Sequence, residues 1–144
     1  MNDNIHILLV EDNDGDIFLT KEALSEGQLI NRLSVVRDGE SAIKFLGRES
    51  PYENVECPQL VLLDINLPKV NGKEVLDHIK KSERLKHIPV VMLTTSSSPK
   101  DVLDSYNKQA NCYITKPVDL EKFVDVLHSF EKFWVSTVQL PPCR

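Results

Sequence analysis

Short apolar runs alternate with amphipathic stretches along the whole chain, and this alternation restricts the possible folds more than any other feature. The runs fall at residues 5–10, 33–37, 60–64, 90–95 and 112–115. Most are continuously apolar, as strands covered on both faces of a parallel sheet are, and lack the every-second-residue pattern of a half-solvated sheet. Between and after them, residues 16–25, 40–46, 73–82, 100–109 and 120–134 read as helices. In the last of these, Leu120, Phe123, Val124, Leu127 and Phe130 recur at spacings of three and four and form one apolar stripe. Right-handed crossovers between such units predict an α/β fold: a doubly wound, five-stranded parallel sheet with helices on both faces and a ligand site at the carboxyl ends of the strands. A length of 144 residues, 41% of them hydrophobic, suffices for one domain of this kind. That domain is expected over residues 1–134, with 135–144 a short C-terminal tail and no separate output domain.

Charge and cysteine usage narrow the function. Seventeen basic against 22 acidic residues leave a net charge of −5, which offers no overall positive field for nucleic-acid phosphates. The start is acidic and the run at 5–10 ends in Glu11-Asp12, so neither a signal peptide nor a membrane span is expected, and the cytoplasm fits best. Cys57, Cys112 and Cys143 are odd in number and lack ligand spacing, which suggests neither a disulfide framework nor a zinc site, and Cys112 is expected to be buried. His6, His78, His87 and His128 share no metal spacing and are expected on the surface, as are Lys80 and Lys81.

The strand ends carry the chemistry. The first strand ends in Glu11-Asp12, the third in Asp64, the fourth in Thr94-Thr95 and the fifth in Lys116-Pro117, and the fold would bring them to one rim. Three carboxylates around one point repel unless a cation offsets them. Mg²⁺ suits such a set, because it takes oxygen ligands and keeps several waters. A carboxylate can also attack phosphorus when cations and donors take up the charge of the transferring group. Asp64, at the end of the central strand, fits the nucleophile, with Lys116 as fixed charge and Thr94 as hydroxyl. Alternation along a strand lets only one of Thr94 and Thr95 face the site, and the register counted from Pro89 favours Thr94.

The segments 7–13, 62–72, 89–94 and 113–117, which read ILLVEDN, LLDINLPKVNG, PVVMLT and YITKP, closely resemble the receiver domains of two-component response regulators. The resemblance spans residues 5–131. It implies phosphorylation of Asp64 by a sensor histidine kinase or phosphotransfer protein that carries the donor histidine. It further implies Mg²⁺ held by Glu11, Asp12, Asp64 and the main-chain carbonyl of Asn66, phosphoryl contacts from Thr94 and Lys116, a cis bond before Pro117, and Tyr113 as an aromatic that changes rotamer with Thr94. Ser96 and Asn66 would flank the acyl phosphate. The loop at 51–58, the step after Asp64 and the tail at 133–142 resemble the small regulators that partner bacterial phytochromes.

Three rivals share the architecture. An aspartyl phosphohydrolase of the haloacid-dehalogenase type would place an acid two residues after its nucleophile; here Asn66, an amide, cannot transfer protons. A nucleotide- or flavin-binding module would carry a phosphate cradle after the first strand, where residues 11–16 hold one glycine and four acids. A non-phosphorylated scaffold would lack one of Asp12, Asp64, Thr94 or Lys116, and all four are present. Finally, Phe133, Trp134, Val135, Val138 and Leu140 exceed what the sheet is expected to cover; they would either fold back on their own domain or meet a second copy or a partner. The resemblance to phytochrome-associated regulators implies a homodimer through the last two helices and the last strand, extended by this tail.

Overall fold

The structure, a computed structural model, describes residues 5–25, 31–135 and 137–142. Its elements are β1 (Ile5–Val10), α1 (Asp14–Ser25), β2 (Asn31–Val36), α2 (Gly39–Leu46), β3 (Leu60–Leu63), α3 (Gly72–Lys81), β4 (Val90–Thr94), α4 (Pro99–Asn107), β5 (Cys112–Thr115) and α5 (Leu120–Phe130), followed by a π-helical turn over Glu131–Val135. The sheet runs β2-β1-β3-β4-β5 with every neighbouring pair parallel. The order turns back on itself between β1 and β3, and a crevice opens at such a reversal. Val10 is in register with Leu63. The next residues, Glu11 and Asp64, therefore leave the sheet side by side.

The continuous apolar runs are explained by two core layers. Along β1, Leu8 and Val10 enter the layer that holds Val61, Leu63, Leu76 and Met92. Ile7 and Leu9 enter the opposite layer with Leu62, Val91, Phe123 and Leu127. Fully burying one such side chain stabilises by about 1.5–3 kcal/mol. The helices are started by side-chain caps: Asp38, Asn71, Ser98 and Asp119 accept backbone N–H bonds from Ser41, Glu74, Asp101 and Lys122, and Pro99 opens α4. Among the described residues no helix is long and apolar enough to cross a membrane.

Several expectations are corrected. Leu120, the first residue of α5, is 66% exposed, while Phe123, Leu127 and Phe130 are buried. His6 is buried within interior strand β1; its Nε2 lies 2.7 Å from Ser34 Oγ and its Nδ1 3.3 Å from the Cys57 carbonyl. Lys80 is half-buried and donates to the Lys86 and Ile88 carbonyls and to Asn111 Oδ1, capping a chain reversal that periodicity does not reveal. Cys57 is disulfide-bonded, a through-space pairing without a local spacing signature; Cys112 is a half-buried free thiol, and Cys143 lies outside the described residues. The tail is not surplus to the core. Leu140 is buried, and Trp134 and Val138 lie against the α1 and α5 layer, leaving Phe133 as the outward-facing aromatic at 55% exposure. The side chain of Val135 and residues 143–144 lie outside what is described.

Candidate functional site

Backbone bonds fix the rim of the crevice. Glu11 N–H donates to the Val36 carbonyl at 3.0 Å, Asp64 N–H to the Val10 carbonyl at 3.1 Å, and Lys116 N–H to the Thr94 carbonyl at 2.7 Å. The end of β1 is thus tied to those of β2 and β3, and the end of β5 to that of β4. Glu11, Asp12 and Asp64 each bring a carboxylate oxygen within 4.8 Å of the others; Glu11 and Asp64 are buried and Asp12 is exposed. An all-oxygen set with one solvent-facing member fits a hard divalent cation that keeps part of its water shell. Asn66 is exposed two residues beyond Asp64, and its N–H donates to Asp64 Oδ1 at 3.3 Å.

Lys116 reaches this cluster from β5. Its Nζ donates to Glu11 Oε1, to Asp16 Oδ2 at 2.9 Å and to Asp64 Oδ2 at 3.2 Å, and the lysine is buried. Burial alone would lower the affinity of that amine for its proton. Glu11, Asp64 and Asp16 outweigh burial and hold the ammonium above the ordinary lysine range. Glu11 is displaced the other way. Burial pushes its carboxyl up to about 7, and Lys116 only partly opposes this. Asp16 is the site residue that reading the strand ends missed; an acid in a first helical turn reads as an ordinary dipole partner, and only its contact with Lys116 sets it apart.

Thr94 is buried and Thr95 exposed, as strand alternation requires. Thr94 Oγ1 lies 3.5 Å from the Ser96 N–H, and Tyr113, half-buried, donates its hydroxyl to the Ser96 carbonyl at 2.8 Å. The Lys116–Pro117 bond, which the resemblance makes cis, is trans; the cis peptide among the described residues is Ser50–Pro51. Trans is the lower-energy X-Pro isomer by about 0.5–1 kcal/mol, and Lys116 reaches its three carboxylates from it.

The raised Glu11 carboxyl has a measurable consequence. Its pKa in the folded protein lies above its unfolded value of 4.5, so between pH 4.5 and about 7 the native state holds the extra proton. Without metal, stability contributed by Glu11 is therefore present at low pH and lost as pH rises through that window. A divalent cation needs the ionised form, so binding should release a proton, and Mg²⁺ affinity should fall about tenfold from pH 8 to pH 6. Calorimetry in buffers of different ionisation enthalpy checks this. Equal affinity at both pH values, with no proton release, would remove Glu11 from the metal set.

Comparison with known proteins finds relatives in both sequence and fold. The response regulator receiver domain family matches residues 7–128. Response regulator Rcp1 of Synechocystis sp. is 46% identical over 135 residues, covering 94% of this chain and 92% of that protein. Two solved structures, the Mn(2+)-bound form of response regulator Rcp1 and the phosphorylated cyanobacterial phytochrome response regulator RcpA, each match with a TM-score of 0.94. Each is 45% identical to this chain over 96% of it and 99% of the solved chain.

Proposed function

The chain belongs to the response-regulator receiver family, and from that premise we propose that it relays a signal by accepting a phosphoryl group on Asp64 from a histidine kinase or phosphotransfer partner. The observation that carries this reading is the meeting of Asp64 with Lys116 and with the Glu11 and Asp12 carboxylates at the sheet's reversal point. In the transfer an Asp64 carboxylate oxygen attacks phosphorus. The new O–P bond forms as the P–N bond to the donor histidine breaks, and the departing imidazole nitrogen takes a proton from solvent. Lys116 and the Thr94 hydroxyl take up charge on the phosphoryl oxygens, as positioned donors do in phosphoryl transfer. Glu11, Asp12, Asp64 and the main-chain carbonyl of Asn66 would hold Mg²⁺, which when bound neutralises charge between the carboxylates and the incoming group. That Rcp1 has a Mn(2+)-bound form supports a divalent ion in this reading.

Catalysis in this reading is limited to the protein's own phosphorylation and dephosphorylation. Asn66 cannot act as a general base for hydrolysis, which favours a switch over a phosphatase. The relatives support action in the cytoplasm, with a phytochrome-type kinase the partner suggested by RcpA. Incubation with Mg²⁺ and a small phosphodonor should add one hydroxylamine-labile phosphoryl group, read by intact mass. No adduct on folded protein would overturn the proposal.

The signal leaves through Thr94 and Tyr113. As the Thr94 hydroxyl turns to the phosphoryl oxygen it releases the Ser96 N–H, and the Tyr113 ring follows the loop inward. That movement repacks α4, β5 and α5, where Leu103, Tyr106 and Leu120 are exposed. We place homodimerisation on the same face, and Leu103→Glu should abolish a concentration-dependent dimer in sedimentation. An unchanged profile would remove this face from self-association. The receiver then comprises residues 1–134, with 135–144 as its closing tail.

A further inference from the structure

We infer that Lys73 of α3 and Asp101 of α4 form a positioning latch, which holds Ser96 away from the phosphoryl site and so sets how readily the loop carrying Thr94 closes on Asp64. The inference rests on Asp64 being the phosphoacceptor. Lys73 Nζ pairs with Asp101 Oδ1 and, at 3.0 Å, with Asp104 Oδ2, which Lys100 also holds at 2.8 Å. Asp101 Oδ2 accepts the Ser96 hydroxyl, and Ser98 Oγ accepts the Asp101 N–H at 3.0 Å. Ser96 in turn meets Thr94 through its N–H and Tyr113 through its carbonyl. One chain of contacts therefore joins α3 to both switch residues.

Its anchored end is what makes it a latch. Lys73 follows Gly72, and a Cβ built on Gly72 would lie 2.0 Å from the Asp64 carbonyl oxygen and 2.7 Å from Ile65 Cα. The first turn of α3 is thus seated directly on the nucleophile's backbone. For the Thr94 hydroxyl to reach a phosphoryl oxygen it must leave the Ser96 N–H, and the loop from Thr95 to Ser98 must follow. Asp101, tied to α3 and holding the Ser96 hydroxyl, opposes that movement. The Lys73 and Asp101 side chains are only 19% and 24% exposed, whereas the Arg32–Glu56 pair shows 42% and 70%, so screening weakens this link less. Each partner shifts accordingly: Asp101 and Asp104 raise the Lys73 ammonium, and Lys73 with Ser96 lowers the Asp101 carboxyl.

A latch and a merely structural pair give different results when the full chain with Mg²⁺ is titrated with beryllofluoride, a phosphoryl mimic, and Tyr113 ring resonances are followed. Removing the latch favours the closed loop, so Lys73→Met should tighten apparent affinity about fivefold. Lys73→Arg should restore the wild-type value. Asp101→Asn, nearly isosteric, should match Lys73→Met and carries the test where that variant fails to fold. The double variant should gain no more than either single one, since both remove the same link. Wild-type affinity in Lys73→Met or Asp101→Asn, or gains that multiply in the double variant, overturns the latch. Wild-type protein that binds no beryllofluoride overturns the phosphoacceptor reading itself, whereas equal binding by wild type and all variants overturns the latch and leaves that reading standing.

Discussion

Asp64→Asn should lose the phosphoryl adduct completely while keeping the fold. The amide is nearly isosteric with the carboxylate, and the strand before it keeps its ladder and the Asp64 N–H bond to Val10. What disappears is the nucleophile. Neighbouring carboxylates are poor substitutes: both oxygens of Glu11 are engaged, one by Lys116 and the other by the Asn13 N–H. Removing one of three crowded negative charges should also leave the metal-free protein at least as stable as the wild type, because the cost of holding Glu11, Asp12 and Asp64 together falls. Lys116 keeps Glu11 and Asp16 as partners, so no buried ammonium is stranded. The stabilisation that Mg²⁺ gives by native-state binding should shrink with the loss of a ligand. Intact mass after phosphodonor treatment and melting curves with and without Mg²⁺ measure both effects. An undiminished adduct in the variant would falsify the assignment.

The parts of this site that are legible in the sequence are those set by periodicity and strand order. Continuous apolar runs required strands covered on both faces, and Leu8 and Leu9 do face opposite core layers. Period-two alternation separated Thr94 from Thr95, and burial follows it. The doubly wound topology is why Glu11, Asp64 and Lys116, more than a hundred positions apart at the extremes, meet within hydrogen-bonding distance. What escapes the sequence is set by side chains meeting across elements. Asp16, Lys73, Asp101 and Lys80 are charged residues on helices, and a helical pattern says which face they occupy without saying what stands opposite. Leu120 fits the apolar stripe of α5 yet is exposed at its first position, since periodicity carries no information on how far along a helix the packed face extends. His6 has the opposite history: a polar residue at a strand start reads as surface, but β1 is covered on both sides, and Ser34 and the Cys57 carbonyl satisfy its ring.

Gly72→Ala should disable the site from a position that carries no chemistry. Gly72 opens α3, and its N–H donates to the Ile65 carbonyl at 2.8 Å, which folds the loop after Asp64 back on itself. The added methyl would stand 2.0 Å from the Asp64 carbonyl oxygen and 2.8 Å from its carbon. Both are backbone atoms that no rotamer change can move aside. Either α3 lifts or the end of β3 shifts, and overpacking of this kind costs about 1–3 kcal/mol. The larger effect falls on reactivity. A displacement near 1 Å in a group that must line up with phosphorus costs on the order of a hundredfold in rate, so phosphodonor loading of Asp64 should slow by about that factor in protein that remains folded. Gly15→Ala is the control, because its Cβ meets nothing nearer than Asn13 Oδ1 at 3.3 Å, and in the first turn of α1 alanine should be neutral or slightly stabilising. Loading rates by intact mass, taken beside circular-dichroism melts of both variants, separate the two effects. If Gly72→Ala loads Asp64 at the wild-type rate, close seating of α3 against the nucleophile has no part in aiming the carboxylate.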